Sequence, residues 1–209
     1  MAALTQDTTT TTGDLLPALL KQPGPRADLK RCLGQRSDSP AWDRAWGHLI
    51  AYLPEQPVSD RRHLAGHAIP DEQRAFVTVA AMICAQPPAA RAHDLQTDPD
   101  RQRAHNLGVS LAIGVGERHL YTRDTGLSRL ILLSRQNVDG LHRLLPGTVQ
   151  HLRGTQVPVD WVRLIGDLAD WRRHRRDIAK WWIQDYHRTL HRIDTINKQT
   201  NPNAESETA

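Results

Sequence analysis

Residues 158–182 read PVDWVRLIGDLADWRRHRRDIAKWW, and the placement of the apolar side chains in this stretch decides the fold. Leu164, Leu168, Trp171, Ile178 and Trp182 recur at the three- and four-residue spacing of one helix face, with Trp181 beside them. Arg172, Arg173 and Arg176 point away from that stripe. The tryptophans are therefore expected as core anchors and the arginines as an outer surface. Two uses are open for those arginines. Asp170, Asp177 and Asp185 can neutralise some of them in helix pairs worth about 0.2–0.5 kcal/mol each, leaving a solvated face. Alternatively, the surplus holds a polyanion.

The charge distribution bears on that choice. The chain of 209 residues carries a formal net charge of +4, with a pI near 9.4. Between Asp170 and Arg192 seven basic side chains (Arg172, Arg173, Arg175, Arg176, Lys180, Arg188, Arg192) face three acidic ones, an excess equal to the charge of the whole chain. Such concentration is what a polyanion-binding surface requires.

Working outward, the same helical period recurs. RADLKRCLG (26–34) closes on Gly34 as a C-cap. SPAWDRAWGHLIAYLP (39–54) opens with Ser39 as N-cap and Pro40 in the first turn, and stops at Pro54. Trp42, Trp46, Leu49, Ile50 and Leu53 form its apolar face, with Trp42 and Trp46 expected to anchor the N-terminal part. IPDEQRAFVTVAAMICAQPP (69–88) has acids in its first turn and ends on Pro87-Pro88. Helices resume near 102 with AHNLGVSLAIGV, GLSRLILLSR and VDGLHRLLPGTVQHLRG, and RDIAKWWIQDYHRTLHRI closes the series. Sustained apolar/polar alternation is missing, so strands are not expected.

The expected fold is all-α, in two small helical lobes. A first lobe spans 15–100 and includes a mobile loop at 89–101 (AARAHDLQTDPDR), and a helical bundle spans 102–196. The Thr-rich stretch 1–14 and the polar stretch 197–209 are expected to be disordered tails, too poor in apolar surface to offset the entropy of ordering. No run approaches the ~18 apolar residues of a membrane helix, and the N-terminus has no basic and apolar signal pattern. Cys32 and Cys84 sit inside helical patterns and are expected as reduced core thiols of a cytoplasmic protein.

Catalytic candidates are few. His63 and His67 (HLAGH) with the His93-Asp94 dipeptide raise the possibility of an HD-type metal phosphohydrolase, which is also all-α. Against this, the His-Asp pair falls in the expected loop, Gly66 interrupts the HLAGH turn, and no Glu completes a zinc-helix motif. GxxxxGK[ST], GxSxG and CxxC are absent, and Gly114-Val115-Gly116-Glu117 follows no strand, so it is expected as a helix stop. No catalytic residue, metal ligand or cofactor is expected.

The order NLGVSLA (106–112), SRLILLSRQNVDGLHRLL (128–145), PVDWVRLIGDLADW (158–171), preceded by the basic RADLKR (26–31), resembles the CasB family over roughly residues 26–190. CasB is the small subunit of the type I-E CRISPR surveillance complex Cascade. Ala112 stands where that family often has the second glycine of a Gly-x-Ser-Leu-Gly helix, and Ser128 stands where an acid is common. Pro146-Gly147 falls near the family's paired arginines, leaving Arg143 and Arg153 as the nearest basic groups. The resemblance implies an all-α, non-catalytic subunit in antiviral defence, usually present as two copies head to tail. Its partners would be the backbone and large subunits, the crRNA, the target DNA and the displaced single-stranded DNA.

Three basic groups are the expected phosphate contacts: Arg26, Lys30 and Arg31; Arg129, Arg135 and Arg143; and Arg172, Arg173 and Arg176. Arg129, beside Leu130 and Ile131, has a boundary position as its other reading. Two other functions remain open at this point, an HD-like metal hydrolase and a helical adaptor that binds an acidic protein.

Overall fold

The computed structural model describes residues 23–53, 69–96 and 105–200. Among the described residues there are nine helices and no strands: α1 (Pro23–Cys32), α2 (Pro40–Leu49), α3 (Asp71–Ala85), α4 (Pro88–Gln96), α5 (Leu107–Gly116), α6 (Arg123–Ser134), α7 (Val138–Gly154), α8 (Trp161–Ala169) and α9 (Trp171–Thr200). The all-α expectation holds. His63, His67, Pro54 and the stretch 1–14 lie outside the described residues.

Local signals explain most boundaries. Gly34 takes φ +73° just beyond α1, a left-handed conformation that glycine adopts without strain. Asn106, Thr122, Asn137 and Asp160 cap α5, α6, α7 and α8 with side-chain oxygens that accept from backbone N–H groups. Ser39 precedes α2 in extended conformation but makes no side-chain cap bond, and α2 ends at Leu49, short of Pro54.

Two helices form the spine. Every residue of α3 from Ala75 to Cys84 is buried, because α1, α2, α7 and α8 all pack on it. α5 is covered in the same way by α6, α7 and α9. One apolar cluster runs from Leu29 on α1 to Leu190 on α9 and includes residues from both sides of position 102. Trp42, Trp161, Leu164, Leu168, Trp171, Ile178 and Trp182 lie in it as expected, while Trp46 is half-buried against it. Trp181 departs from expectation: it is 46% exposed, with the Arg163 guanidinium 5.8 Å from its ring centre. Cys32 and Cys84 are free and buried, and burial pushes both thiols up to about 12.

The NLGVSLA motif is a packing device. A Cβ at Gly108 would lie 1.8 Å from the Trp182 carbonyl oxygen, so only glycine lets α5 and α9 cross at this distance. Asn106 donates to Asp185 (2.7 Å), and Ser110 Oγ donates to the Pro158 carbonyl (2.8 Å). Ala112, in place of a second glycine, is fully buried.

Two stretches are more helical than their composition suggests. Most of the expected 89–101 loop is α4, begun by Pro88, and α9 continues through Thr200 into the expected C-terminal tail. In α4 the periodicity is poor because tertiary contacts stabilise it: Arg153 donates to the Ala90 carbonyl (3.0 Å) and to Asp94.

Candidate functional site

The break between α8 and α9 positions the arginine run. The Asp170 carbonyl accepts from Arg173 N (3.0 Å) and His174 N (2.8 Å), and His174 leaves the helical region at φ −124°, ψ 22°. Around this kink the indoles are held inward. Trp171 donates through Nε1 to the Gln136 carbonyl (3.0 Å) and stacks on Trp182 at 5.0 Å between ring centres, tilted 32°. Trp182 donates through Nε1 to Asp167 (2.7 Å). Burial holds the Asp167 carboxyl above its usual range, opposed by Arg163, which donates to it at 2.9 Å. With this face pinned, residues 172–177 are all exposed.

An open groove results between the C-terminal end of α6 and α9. Its walls are Ser134, Arg135, Arg175, Arg176, Lys180 and Gln184, over a floor of Ala179 and Ile183. Four of these residues are cations and none is a carboxylate. Arg135, Arg175, Arg176 and Lys180 are all exposed, and no ion pair to any of them occurs among the described residues. Toward the start of α7 the groove continues into a depression lined by Arg172, Arg173, His174, Arg175 and Arg176, where acids appear as Asp139 and Asp177.

The structure thus brings together part of what the sequence suggested. Arg135 and Arg176 share the groove, and Arg173 adjoins it. Arg172 is engaged within the chain, donating to Asp71 on α3 through Nε (2.6 Å) and Nη2 (3.0 Å). Arg129 is half-buried with its guanidinium 4.5 Å from the Tyr121 ring centre, which is the boundary position. Tyr121 in turn shares a hydrogen bond with His151 (2.7 Å). Arg143 is exposed on α7, and Arg26, Lys30 and Arg31 lie on α1, none of them lining the groove. Arg31 donates to Asp28 (3.1 Å). Arg175 and Lys180 were not singled out in the sequence. Lys180 sits one helical turn after Arg176, and that spacing was the available signal.

Of the metal candidates, His63 and His67 lie outside the described residues, and Asp94 has a different role. Asp94 is buried in a network in which Arg153, Gln86 Nε2 (3.1 Å) and Trp161 Nε1 (3.2 Å) all donate to its carboxylate. Arg153 is fully buried and also donates to Gln86 Oε1 (2.5 Å) and to the Val157 carbonyl (2.6 Å). In the sequence it stood, with Arg143, as one of the basic groups nearest the position of the CasB family's paired arginines. In the fold it ties α7 to α3 and α4. Among the described residues no group of three or more His, Cys, Asp or Glu side chains could hold a metal ion, and no helix is long and apolar enough to cross a membrane.

Comparison with known proteins gives a consistent likeness. The family profile described as CRISPR-associated protein Cse2 matches residues 25–187. A chain of a solved structure described as "CRISPR RNA-guided surveillance complex, pre-nicking" is 35% identical, with a TM-score of 0.77 over 94% of this chain and 99% of that one. A chain of a second "CRISPR RNA-guided surveillance complex" is 36% identical, with a TM-score of 0.74 over 94% and 98%. The crystal structure of M. ruber CasB, at 20% identity and a TM-score of 0.62 over 84% and 90%, shares the fold. No curated protein matches the chain.

Proposed function

The chain belongs to the CRISPR-associated protein Cse2 family, and on that premise we propose that it is the small subunit of a type I-E CRISPR Cascade complex. In this reading it is a cytoplasmic, non-catalytic scaffold in antiviral defence. It docks on the backbone and large subunits and on a second copy of itself, and its basic surface steadies the crRNA–target duplex and the displaced single-stranded DNA. Both 35–36% identical chains come from surveillance complexes and are covered almost end to end, which supports the assignment to such an assembly. The N-terminal lobe (15–100) and the C-terminal bundle (102–196) would act as one body because they share an apolar cluster.

The observation that carries the nucleic-acid part is the carboxylate-free groove of Arg135, Arg175, Arg176 and Lys180. Cations there release counterions from phosphates. That term is blind to base sequence, as it must be where a guide RNA supplies specificity. Arg173 extends the path, and Arg26, Lys30, Arg31 and Arg143 are outlying contacts. Arg129 and Arg172 contribute less, being engaged with Tyr121 and Asp71.

The test is a salt titration of binding to fluorescent single-stranded DNA. Each single-strand phosphate contact adds about 0.7 to the slope of log K against log salt, so losing four contacts flattens it by roughly 3. Wild type should show a linear fall, and Arg135→Ala/Arg175→Ala/Arg176→Ala/Lys180→Ala a much shallower one. An unchanged slope in the quadruple variant would move the contacts elsewhere on the chain.

A further inference from the structure

The arginine run has one member that the fold withholds. Arg172 is the first arginine after the helix break, yet its guanidinium forms a two-point ion pair with Asp71, Nε at 2.6 Å and Nη2 at 3.0 Å. Asp71 lies in the first turn of α3, 101 residues away in sequence, and its side chain is only 23% exposed. The pair therefore clasps the first turns of α3 and α9, and the acid is held in place by the body of the protein. A second pair lies beside it: Arg74, one turn along α3, donates to Asp139 at the start of α7 (2.6 Å). Asp139 lines the depression that also includes Arg172. The acids are thus concentrated at one end of the basic surface, where Asp71, Asp139 and Asp177 gather, while the other end has four cations and no carboxylate.

We propose that Asp71 is a masking residue that takes Arg172 out of the phosphate-binding surface and, with Asp139, sets the edge at which a bound polyanion turns away from α9. This rests on the groove being the polyanion path, and it adds where that path stops and which residue stops it. A phosphate approaching Arg172 must displace a bidentate carboxylate or accept its repulsion. Along Arg135, Arg175, Arg176 and Lys180 it meets neither. On this proposal Arg172, expected from the sequence as a phosphate contact, is present and exposed but already paired with Asp71.

The experiment is the salt dependence of binding to a fluorescent oligothymidylate by the full-length chain, comparing Arg172→Ala, Asp71→Asn, the double variant, and Arg176→Ala as a groove reference. Melting temperatures should confirm that all four remain folded. The expected result is that Arg172→Ala leaves the slope of log K against log salt unchanged. Asp71→Asn frees one cation and steepens the slope by about 0.7, with tighter binding at low salt. The double variant returns to wild type, and Arg176→Ala is shallower by about 0.7. A loss of slope in Arg172→Ala equal to that of Arg176→Ala would overturn the masking role, as would an Asp71→Asn slope equal to wild type. Those outcomes leave the groove reading standing, whereas a wild type without salt-dependent binding removes both.

Discussion

Asp94→Asn removes one charge from the buried network that joins α3, α4, α7 and α8. In the native chain the Asp94 carboxylate accepts from Arg153, Gln86 and Trp161, and the Arg153 side chain is fully buried. The substitution keeps the shape but leaves a guanidinium without its counterion in a site closed to water. Breaking such a pair on one side costs about 3–5 kcal/mol, a large part of the ~5–15 kcal/mol that holds a domain together. For a chain of this size each kcal/mol moves the melting temperature by about 2–4 °C, so a fall of roughly 6–20 °C is expected by differential scanning fluorimetry, with a matching drop in the urea midpoint. Asp94→Leu/Arg153→Met removes both charges and should recover part of the loss. Full recovery is not expected, because the carbonyls of Ala90 and Val157 also lose a donor. A chelator should leave every melting curve where it was, since the carboxylate is bound to an arginine. An Asp94→Asn chain that melts within about 2 °C of wild type would refute the reasoning.

Four further substitutions test the packing and the buried histidine. Trp171→Ala deletes a buried indole stacked on Trp182 and should destabilise by about 3–5 kcal/mol, read as a lowered melting temperature; full stability would contradict the core assignment. Gly108→Ala drives a methyl into the Trp182 carbonyl and should leave little folded protein, whereas Gly147→Ala, on an open stretch of α7, should stabilise by about 0.5–1 kcal/mol in urea titration. His142 is buried with Nδ1 on Thr78 Oγ1 (2.8 Å), and burial, helped by Arg74 and opposed by Asp71 and Asp139, pulls its pKa down to about 3. The unfolded chain takes up this proton below about 6.5 and the folded chain does not, so stability falls as pH drops from about 6.5 toward 3, by at most ~1.4 kcal/mol per unit. His142→Gln should make the fall of urea-denaturation stability with pH shallower over that window and leave the pH dependence above pH 7 unchanged, whatever constant offset the substitution adds.

What the sequence made legible is what repeats locally. The three- and four-residue spacing of Leu164, Leu168, Trp171, Ile178 and Trp182 placed the core face of α8 and α9, because burial selects for that period. Trp181 lies only one residue from Trp182 but about 100° round the helix, which is enough to leave it outside. Helix α4 was hidden because its stability comes from Arg153, some sixty positions away, and not from a stripe of its own. The same limit applies at the candidate site. Arg176 was visible as part of a basic run, but its grouping with Arg135 exists only because α6 ends against α9. The engagement of Arg172 depends on a carboxylate 101 residues earlier, a distance at which no periodicity operates.

The central claim is that the groove between α6 and α9 is the polyanion path. The most direct measurement is photocrosslinking of a reconstituted surveillance complex loaded with target DNA whose displaced strand bears photoreactive nucleotides, followed by mass-spectrometric mapping of the crosslinked peptides. The account predicts that crosslinks on this chain concentrate at residues 134–135, 173–176, 179–180 and 183–184 and fade in the Arg135→Ala/Arg175→Ala/Arg176→Ala/Lys180→Ala variant while the complex still assembles. Crosslinks confined to α1 or to the Trp181–Arg163 face, unchanged in that variant, would contradict it.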